Sequence, residues 1–356
     1  MTTGSRASVN EALAALGYLA GWRLTRALPE GVAHWLFGAA ADLAARRGGP
    51  GATQLRRNLA RVVPRAGADE LDDLVRQAMR SYARYWCEAF RLRPADRAGV
   101  VRDGDRFVTG QEYLDAALAQ GNGAVLALPH SGNWDLAGVW LAGHCGSFTT
   151  VAERLRPEVL YRRFVAYRES LGFEVVPLTG GARPAASVLA ERLRANQVVC
   201  LLADRDLTDA GVRVQFFGEP ARMPAGAAYL AARTGAALLP AGCWYTEDGW
   251  GVRIHPPIRI AGIRGVPAAT QALADVFAAD IAAHPADWHM LQRVWEADLP
   301  EAPGGRPRRA ARPGWAGQPR DAGQPGVGQP GVGQPGVGQP RQASEVGQPA
   351  GHGEPS

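Results

Sequence analysis

The 356-residue chain is 46% hydrophobic and 21% charged, which is enough apolar sequence for a packed globular domain of roughly 250–300 residues. Its formal net charge is +5 and all 39 basic residues are arginines, so a Walker P-loop, a Schiff base and a pyridoxal-phosphate anchor, which all require lysine, are excluded. The charge is too mild and diffuse to indicate a nucleic acid partner, and none is expected.

The four cysteines stand alone in the sequence and form no CxxC pair. Neither a zinc site nor a disulfide framework is therefore expected, and a reduced, cytoplasmic compartment fits best. The cysteines are Cys87, Cys145, Cys200 and Cys243.

The N-terminal region is predicted to be helical over residues 8–48. It contains the apolar stretch "ALAALGYLAGW" at residues 12–22, which is too short to span a bilayer, since a span needs about 20 apolar residues. Arg23 and Arg26 follow at once and no small-residue cleavage site comes next, which argues against a signal peptide. The helix either lies on a membrane surface or packs on the domain. A further helix is predicted over residues 70–93.

From about residue 105 short apolar strands alternate with helices. This alternation predicts an α/β fold, with a mostly parallel central sheet covered by helices on both faces. Strands are predicted at residues 124–129, 148–153, 173–178, 198–204, 237–245 and 250–260. Helices are predicted at residues 134–144, 157–172, 182–196, 225–235 and 270–288.

The C-terminal part of the chain has a different composition. Residues 323–340 read "GQPGVGQPGVGQPGVGQP", a five-residue repeat rich in glycine and proline. Such a segment cannot bury enough apolar surface to offset the entropy cost of ordering it. The sequence therefore predicts a single domain over residues 1–300 and a disordered Gly/Pro/Gln-rich tail over 301–356, without a catalytic role.

The stretch "LALPHSGNWDLAGVW" carries the strongest signal for chemistry. His130 follows a predicted strand and Asp135 lies in the first turn of the next helix, at the carboxyl edge where α/β sheets bind ligands. Five residues along one helix would turn the two side chains about 140° apart, so they meet only if His130 precedes the helix. Ser131 or Asn133 is expected to cap the helix. Asp135 would then hold one ring nitrogen, leaving the other as a general base for an alcohol.

Two other interpretations of this stretch are disfavoured. Ser131 lacks the GxSxG context of a hydrolase nucleophile and stands directly beside the base, so a supporting role is expected. A metal site at His130 and Asp135 lacks a third ligand at a recognisable spacing, and no metal is expected.

Further polar residues are predicted near the same sheet edge. Glu153 ends a strand and Arg168 lies on the following helix, where they pair with each other or contact the substrate. Asp204 and Arg205 follow the buried strand of "VVCLLAD" and are expected to line the site. His289 either borders the site or is a packed structural histidine.

The motif "HSGNWD" resembles the H-x4-D motif of the lysophospholipid-acyltransferase superfamily, in the form found in its lipid A lauroyl/myristoyl acyltransferase branch. Residues 151–181, 201–226 and 284–295 are similar to the actinobacterial phosphatidylinositol mannoside acyltransferases. The resemblance covers about residues 10–298 and leaves out only the tail. H-x4-D alone is moderately specific, whereas its combination in order with "ADRDL" and "FFGEPARMPAG" is characteristic of the family.

The resemblance implies transfer of a fatty acyl chain, typically palmitoyl, from acyl-CoA to a mannose hydroxyl of a phosphatidylinositol mannoside. It implies a protein peripheral to the cytoplasmic face of the cell membrane, with acyl-CoA as co-substrate and no resident cofactor. It also places Glu219 and Arg222 at the acceptor site. The sequence lacks the EGTR motif of the glycerolipid branch, so whether Arg222 contacts a phosphate directly stays open.

Three alternatives to this function remain open from the sequence. A lipid A-type lauroyl or myristoyl acyltransferase would share the motif. An acyl-CoA or ester hydrolase would use the same base to activate water. A catalytically silent lipid-binding protein would retain the fold without the chemistry.

Overall fold

The computed structural model describes residues 17–18, 20–154, 157–206 and 211–299. The predicted tail over 301–356, and the part of the N-terminal helical prediction before residue 17, lie outside the described residues. Within them, residues 20–27 are helical and are followed by a short break before the next helix.

The helices are α1 (Glu30–Arg47), α2 (Pro50–Val62), α3 (Ala68–Arg91), α4 (Arg97–Gly104), α5 (Gln111–Ala119), α6 (Trp134–Cys145), α7 (Glu158–Ser170), α8 (Ala185–Arg194), α9 (Gly226–Thr234) and α10 (Val266–Ala283). The strands are β1 (Val108–Thr109), β2 (Ala124–Leu128), β3 (Phe148–Ala152), β4 (Phe173–Pro177), β5 (Val198–Leu202), β6 (Val212–Phe216), β7 (Glu219–Met223), β8 (Ala237–Thr246) and β9 (Gly249–Ile254). Short 3-10 turns lie at Pro94–Asp96, Ile263–Gly265, Pro285–Asp287 and Glu296–Asp298.

The central sheet has seven strands in the order β1-β9-β8-β2-β5-β3-β4. All neighbouring pairs are parallel except β8 and β9, which form an antiparallel hairpin. The predicted α/β class with a mostly parallel sheet is therefore confirmed. A separate antiparallel hairpin of β6 and β7, which was not predicted, follows β5 in the chain.

The side chains of β2 show why both faces of the sheet are covered. Successive residues of a strand point to opposite faces, and β2 is buried along its whole length. Val125 and Ala127 pack into an apolar cluster with residues of α8, α9 and α10. Ala124, Leu126 and Leu128 pack into a second cluster with residues of α5 and α6. Helices therefore enclose the strand whose end carries His130.

Strand β9 is shorter than predicted. The sequence pattern extended it to residue 260, but it ends at Ile254. Pro256 and Pro257 have no backbone N–H and cannot continue a ladder. The N–H of His255 still donates to the carbonyl of Pro240 on β8 at 2.9 Å, so the pairing stops just before the two prolines.

The N-terminal helices pack at one side of the sheet domain. Trp22 is buried, and its indole N–H donates to the carbonyl of Phe90 on α3 at 2.9 Å. Arg91 on α3 donates to the carbonyls of Thr25 and Leu28, both at 2.7 Å. Of the two alternatives that the sequence left open for this helix, packing on the domain is therefore observed for the side that faces α3. Among the described residues, none of the helices combines the length and apolarity needed to cross a membrane.

Candidate active site

The candidate site begins where two adjacent parallel strands end. β2 and β5 are hydrogen-bonded neighbours, and Leu128 pairs with Leu202 at their carboxyl ends. His130 and Asp204 each follow two residues later, so the register of the sheet brings them to the same edge at the same level. The Ala203 N–H donates to the Leu128 carbonyl at 2.8 Å and carries the pairing one residue beyond the strands.

The Asp204 carboxylate holds both the backbone and the ring of His130. Its Oδ1 lies 2.6 Å from Nδ1 of His130, and its Oδ2 accepts the His130 backbone N–H at 3.0 Å. The indole N–H of Trp288 also donates to Oδ2 at 3.0 Å. Burial alone would raise the pKa of Asp204, but the charge of His130 and the hydrogen bonds from His130 and Trp288 outweigh it and lower the pKa below its usual value. The carboxylate therefore stays ionised although it is fully buried.

The side chain of His130 is partly exposed to solvent, as a general base that must reach a substrate has to be. The side chain is 26% exposed, while its carboxylate partner is 0% exposed. Because Asp204 occupies the Nδ1 edge, that nitrogen carries the proton and Nε2, on the opposite edge, is the nitrogen with a free lone pair. This arrangement fits a general base that acts on a hydroxyl group.

The predicted contact between Asp135 and His130 is wrong, because Asp204 takes that position. Asp135 lies in the first turn of α6 as predicted, but its carboxylate is directed toward α3 and α7. Its Oδ2 accepts the hydroxyl of Tyr85 at 2.9 Å, and its Oδ1 lies 3.0 Å from the Arg168 guanidinium. The buried carboxylate of Asp135 thus connects three helices, α6 to α7 by an ion pair and α6 to α3 by a hydrogen bond.

The turn after His130 is held by the segment around Trp288. Ser131 and Trp288 form an antiparallel bridge. The Gly132 N–H donates to the carbonyl of Asp287 at 2.9 Å, and the His289 N–H donates to the carbonyl of His130 at 2.7 Å. Gly132 has φ +57°, and a Cβ there would lie 2.7 Å from the backbone of Cys243 and Trp244, so only glycine fits. His130 therefore lies on a rigid turn.

Asn133 caps α6, as one of the two sequence alternatives predicted. Its side-chain oxygen accepts the N–H of Leu136 at 3.0 Å, and its amide donates to Oε2 of Glu88 on α3 at 2.6 Å. Glu88 also accepts the hydroxyl of Tyr245 at 3.2 Å and pairs with Arg84 at 2.7 Å. The cap residue thus fixes the start of α6 against α3 and β8. Ser131 is buried beneath the turn, and its role stays a prediction.

Three further predicted site residues are Glu153, Arg168 and Arg205. Arg168 pairs with Asp135 and not with Glu153, which is exposed. Arg205 is half-buried beside Asp204; burial lowers its pKa, while the negative charges of Glu153 and Asp204 oppose that change. Glu153 and Arg205 follow the carboxyl ends of the neighbouring strands β3 and β5, and the contact of these residues with a substrate stays a prediction.

Glu219 and Arg222 are both engaged in ion pairs on the β6–β7 hairpin side. Glu219 pairs with Arg61 of α2 at 2.9 Å. Arg222 is buried, lies 3.0 Å from Glu296 and donates to the carbonyl of Gly211 at 3.2 Å. Their predicted role at the acceptor site stays a prediction, while their contacts hold the hairpin and the end of the domain together.

His289 is a packed histidine that also contacts His130, whose carbonyl accepts its backbone N–H. It is 4% exposed and lies among the rings of Tyr82, Tyr85 and Trp134. Burial, followed by the nearby charge of His130, lowers the pKa of His289 to about 3, so the ring is neutral near pH 7. Its Nε2 lies 2.9 Å from the hydroxyl of Ser81.

Sequence reasoning missed Tyr85, Glu88 and Trp288, which position the motif. Tyr85 and Glu88 lie on α3, and Trp288 lies beyond α10, so each is far from His130 in sequence. Their only signal was a polar or amphipathic side chain in an otherwise apolar stretch, which does not identify a partner. In the described part of the chain no group of three or more His, Cys, Asp or Glu residues could hold a metal ion.

The fold and the site define an α/β protein in which a buried carboxylate holds a histidine as a candidate general base at the carboxyl edge of the sheet. The chain belongs to the bacterial lipid A biosynthesis acyltransferase family, which matches residues 6–297. This family is the broader of the two groups that the H-x4-D motif and its accompanying stretches resemble.

Curated relatives give a more specific comparison. The chain is 60% identical over 299 residues to the phosphatidylinositol mannoside acyltransferase of Mycolicibacterium smegmatis, covering 84% of this chain and 97% of the relative. It is 57% identical over 297 residues to the phosphatidylinositol mannoside acyltransferase of Mycobacterium tuberculosis strain H37Rv, covering 83% of this chain and 93% of the relative. The protein of the same name from strain CDC 1551 is also 57% identical over 297 residues. The resemblance to this group is confirmed.

Proposed function

We propose that this protein is an acyl-CoA-dependent O-acyltransferase that transfers a fatty acyl chain, palmitoyl above all, to a mannose hydroxyl of a phosphatidylinositol mannoside. The observation that carries the proposal is the 2.6 Å contact between His130 Nδ1 and the fully buried carboxylate of Asp204. The acceptor follows from the names of relatives that are 57–60% identical over more than four-fifths of the chain.

The chemistry is a direct acyl transfer. Nε2 of His130 takes the proton of the acceptor hydroxyl as its oxygen attacks the thioester carbonyl carbon. The new C–O bond forms a tetrahedral intermediate, and its collapse breaks the C–S bond. The coenzyme A thiolate then leaves and receives the proton from His130, so the base is regenerated without an acyl-enzyme. Asp204 stabilises the imidazolium that exists between these two proton transfers.

The developing oxyanion needs hydrogen-bond donors. Helix α6 begins at Trp134, four residues after the base, and its first-turn N–H groups have no partner within the helix. The positive end of the helix dipole adds to their effect. In this proposal the backbone N–H groups of Trp134 and Asp135 stabilise the tetrahedral oxyanion, because the Leu136 N–H donates to the Asn133 cap.

The proposed location is peripheral, at the cytoplasmic face of the cell membrane. Apolar side chains of the N-terminal helices are unusually exposed. They are Leu24 at 60%, Val32 at 43%, Leu36 at 42% and Leu43 at 45%. Such apolar side chains, on helices that also carry Arg23, Arg46 and Arg47, suit the surface of an anionic bilayer.

An in vitro transfer assay tests the function. Palmitoyl-CoA is supplied with purified mono- and dimannosylated phosphatidylinositol, and the acylated product and free coenzyme A are quantified for wild type and His130→Ala. We expect one acyl group transferred per coenzyme A released, and a loss of at least about 10³-fold in kcat for His130→Ala. His144→Ala is the matched control, because His144 also contacts a carboxylate, that of Asp115 at 2.7 Å, and is 23% exposed.

Three results would contradict the proposal. Release of free fatty acid at the rate of coenzyme A release, with no acylated mannoside, would identify a hydrolase. Better use of a lipid A precursor than of the mannosides would identify a lipid A-type acyltransferase. Unchanged transfer by His130→Ala would remove His130 from the chemistry.

A further inference from the structure

A cavity of about 520 Å³ opens between α1, α3, β8 and the segment that holds the turn after His130. This volume is within the roughly 300–1,000 Å³ typical of small-molecule sites. Neither the motif nor the proposed mechanism uses it. The lining residues that matter here are Trp35, Gly38 and Asp42 of α1, Arg80 and Arg84 of α3, and Asp287.

The polar groups of this cavity are fixed in place yet keep unused hydrogen-bonding capacity. Arg80 donates to both oxygens of Asp42, at 2.6 and 2.5 Å. The Asp287 carboxylate accepts the Ser81 hydroxyl at 2.6 Å and the Tyr245 N–H at 2.8 Å. A carboxylate accepts about four hydrogen bonds and a guanidinium donates five, so both types of group can still bind a ligand.

The charges in the cavity favour a neutral ligand. The two guanidinium groups of Arg80 and Arg84 face the two carboxylates of Asp42 and Asp287, and Arg84 also pairs with Glu88. A phosphate needs an excess of positive charge, which these residues do not supply. Alternating fixed donors and acceptors instead match the vicinal hydroxyl groups of a sugar or cyclitol ring.

Trp35 adds an aromatic surface to this set. Its side chain is 69% exposed although it is among the largest apolar side chains of the protein. A flat exposed indole is the surface against which the C–H face of a sugar ring packs. The cavity therefore combines the two elements of sugar recognition, an aromatic platform and paired polar groups.

The cavity shares a wall with the candidate active site. Ser81 and Asp287 line it, and the hydroxyl of Ser81 lies 2.9 Å from Nε2 of His289. The backbone of the same segment holds His130 and Gly132 through the N–H of His289 and the carbonyl of Asp287. A ligand in the cavity would be separated from His130 only by this wall. The hydroxyl that reacts would lie on the His130 side of the wall.

We infer that this cavity binds a neutral sugar or cyclitol unit of the acceptor glycolipid other than the ring that is acylated. The inference rests on the proposed function for the identity of the acceptor. The cavity then determines specificity by binding part of the head group, while His130 acts on a single hydroxyl.

A pair of glycine substitutions on α1 tests the inference without removing any existing contact. A Cβ at Gly38 or at Gly31 meets no atom within 4 Å, and leucine is the better helix former. Gly38 lines the cavity and Gly31 does not. Gly38→Leu therefore fills the cavity, while Gly31→Leu adds the same apolar side chain to the same helix and controls for altered membrane contact.

The experiment measures binding of the deacylated, water-soluble head group, glycerophosphoinositol dimannoside, to the full chain by calorimetry without an acyl donor. Steady-state KM values for dimannosylated phosphatidylinositol and for palmitoyl-CoA are measured beside it. For Gly38→Leu we expect Kd of the head group and KM of the acceptor to rise at least about tenfold. The KM of palmitoyl-CoA and the values for Gly31→Leu should stay within about twofold of wild type.

The outcomes separate this inference from the proposed function. Unchanged head-group binding by Gly38→Leu would overturn the inference even if wild type transfers acyl groups to mannosides. A raised KM for palmitoyl-CoA in its place, or displacement of the head group by inorganic phosphate, would also overturn it. Loss of head-group binding in Gly38→Leu supports the cavity as a sugar site, whether or not transfer to the mannoside is detected.

Discussion

The charge of Asp204 supports His130, and replacing it by asparagine tests this directly. Asparagine has nearly the same shape but cannot stabilise an imidazolium by charge. The contact is 2.6 Å between Nδ1 and Oδ1, and the carboxylate is fully buried. With about 4 Å between the charge centres and an effective dielectric constant of about 20, the interaction amounts to about 4 kcal/mol. Lost from the transition state alone, this corresponds to a decrease of about 10³-fold in kcat.

The assay for Asp204→Asn is steady-state acyl transfer, combined with a double-mutant cycle. We expect kcat to fall about 10³-fold, with both KM values within about threefold of wild type, because the carboxylate contacts the base and not the substrates. In the His130→Ala background the same change should have almost no further effect, since there is no imidazolium left to stabilise. Asp115→Asn, at the exposed carboxylate that contacts His144, is the matched control.

Two results would refute this reasoning about Asp204. The first is a kcat for Asp204→Asn above about one tenth of wild type, because the calculated interaction would then not be used in the transition state. The second is an equal further loss of activity in the His130→Ala background, which would show that Asp204 acts independently of the base.

Two further predictions concern buried groups around the site. Arg168→Ala leaves the carboxylate of Asp135, 1% exposed, without its cation, so the free energy of unfolding should fall by about 3–5 kcal/mol in urea denaturation, and a loss under 1 kcal/mol would contradict a buried ion pair. The pKa of His289 is lowered to about 3 from its ordinary 6.5, so between these values the unfolded chain binds a proton that the folded chain does not. The free energy of unfolding should therefore fall as pH falls from 6.5, by up to about 1.4 kcal/mol per pH unit from this group. His289→Gln should remove that contribution to the slope, and an unchanged slope between pH 4.5 and pH 6.5 would refute the neutral buried imidazole.

The sequence by itself determined the local elements and the class of fold. Short runs rich in apolar residues predicted the strands β2, β3, β4 and β5, and the observed strands lie within a residue or two of the predicted bounds. These predictions succeed because hydrophobic periodicity and the Gly and Pro residues that end an element are properties of short stretches of sequence. The hairpin of β6 and β7 was missed because its strands are not apolar runs: β6 reads VRVQF and β7 reads EPARM, which includes a proline.

The sequence also selected His130 as the candidate base, because the signal for His130 is local as well. A buried strand, a proline, a histidine and a helix cap occur within ten residues, and this order places the histidine at a sheet edge. The same local reasoning chose Asp135 as its partner, since Asp135 is five residues away and Asp204 is 74 residues away.

Only the tertiary structure decided which carboxylate holds His130. The register of β2 beside β5 places Asp204 level with His130, and no feature of either segment specifies that these two strands are neighbours. The cap at Asn133 fixes the direction of α6, so Asp135 is directed to Tyr85 and Arg168 on helices α3 and α7. Strand order and helix packing arise from contacts across the whole chain, and the assignment of the partner depends on both.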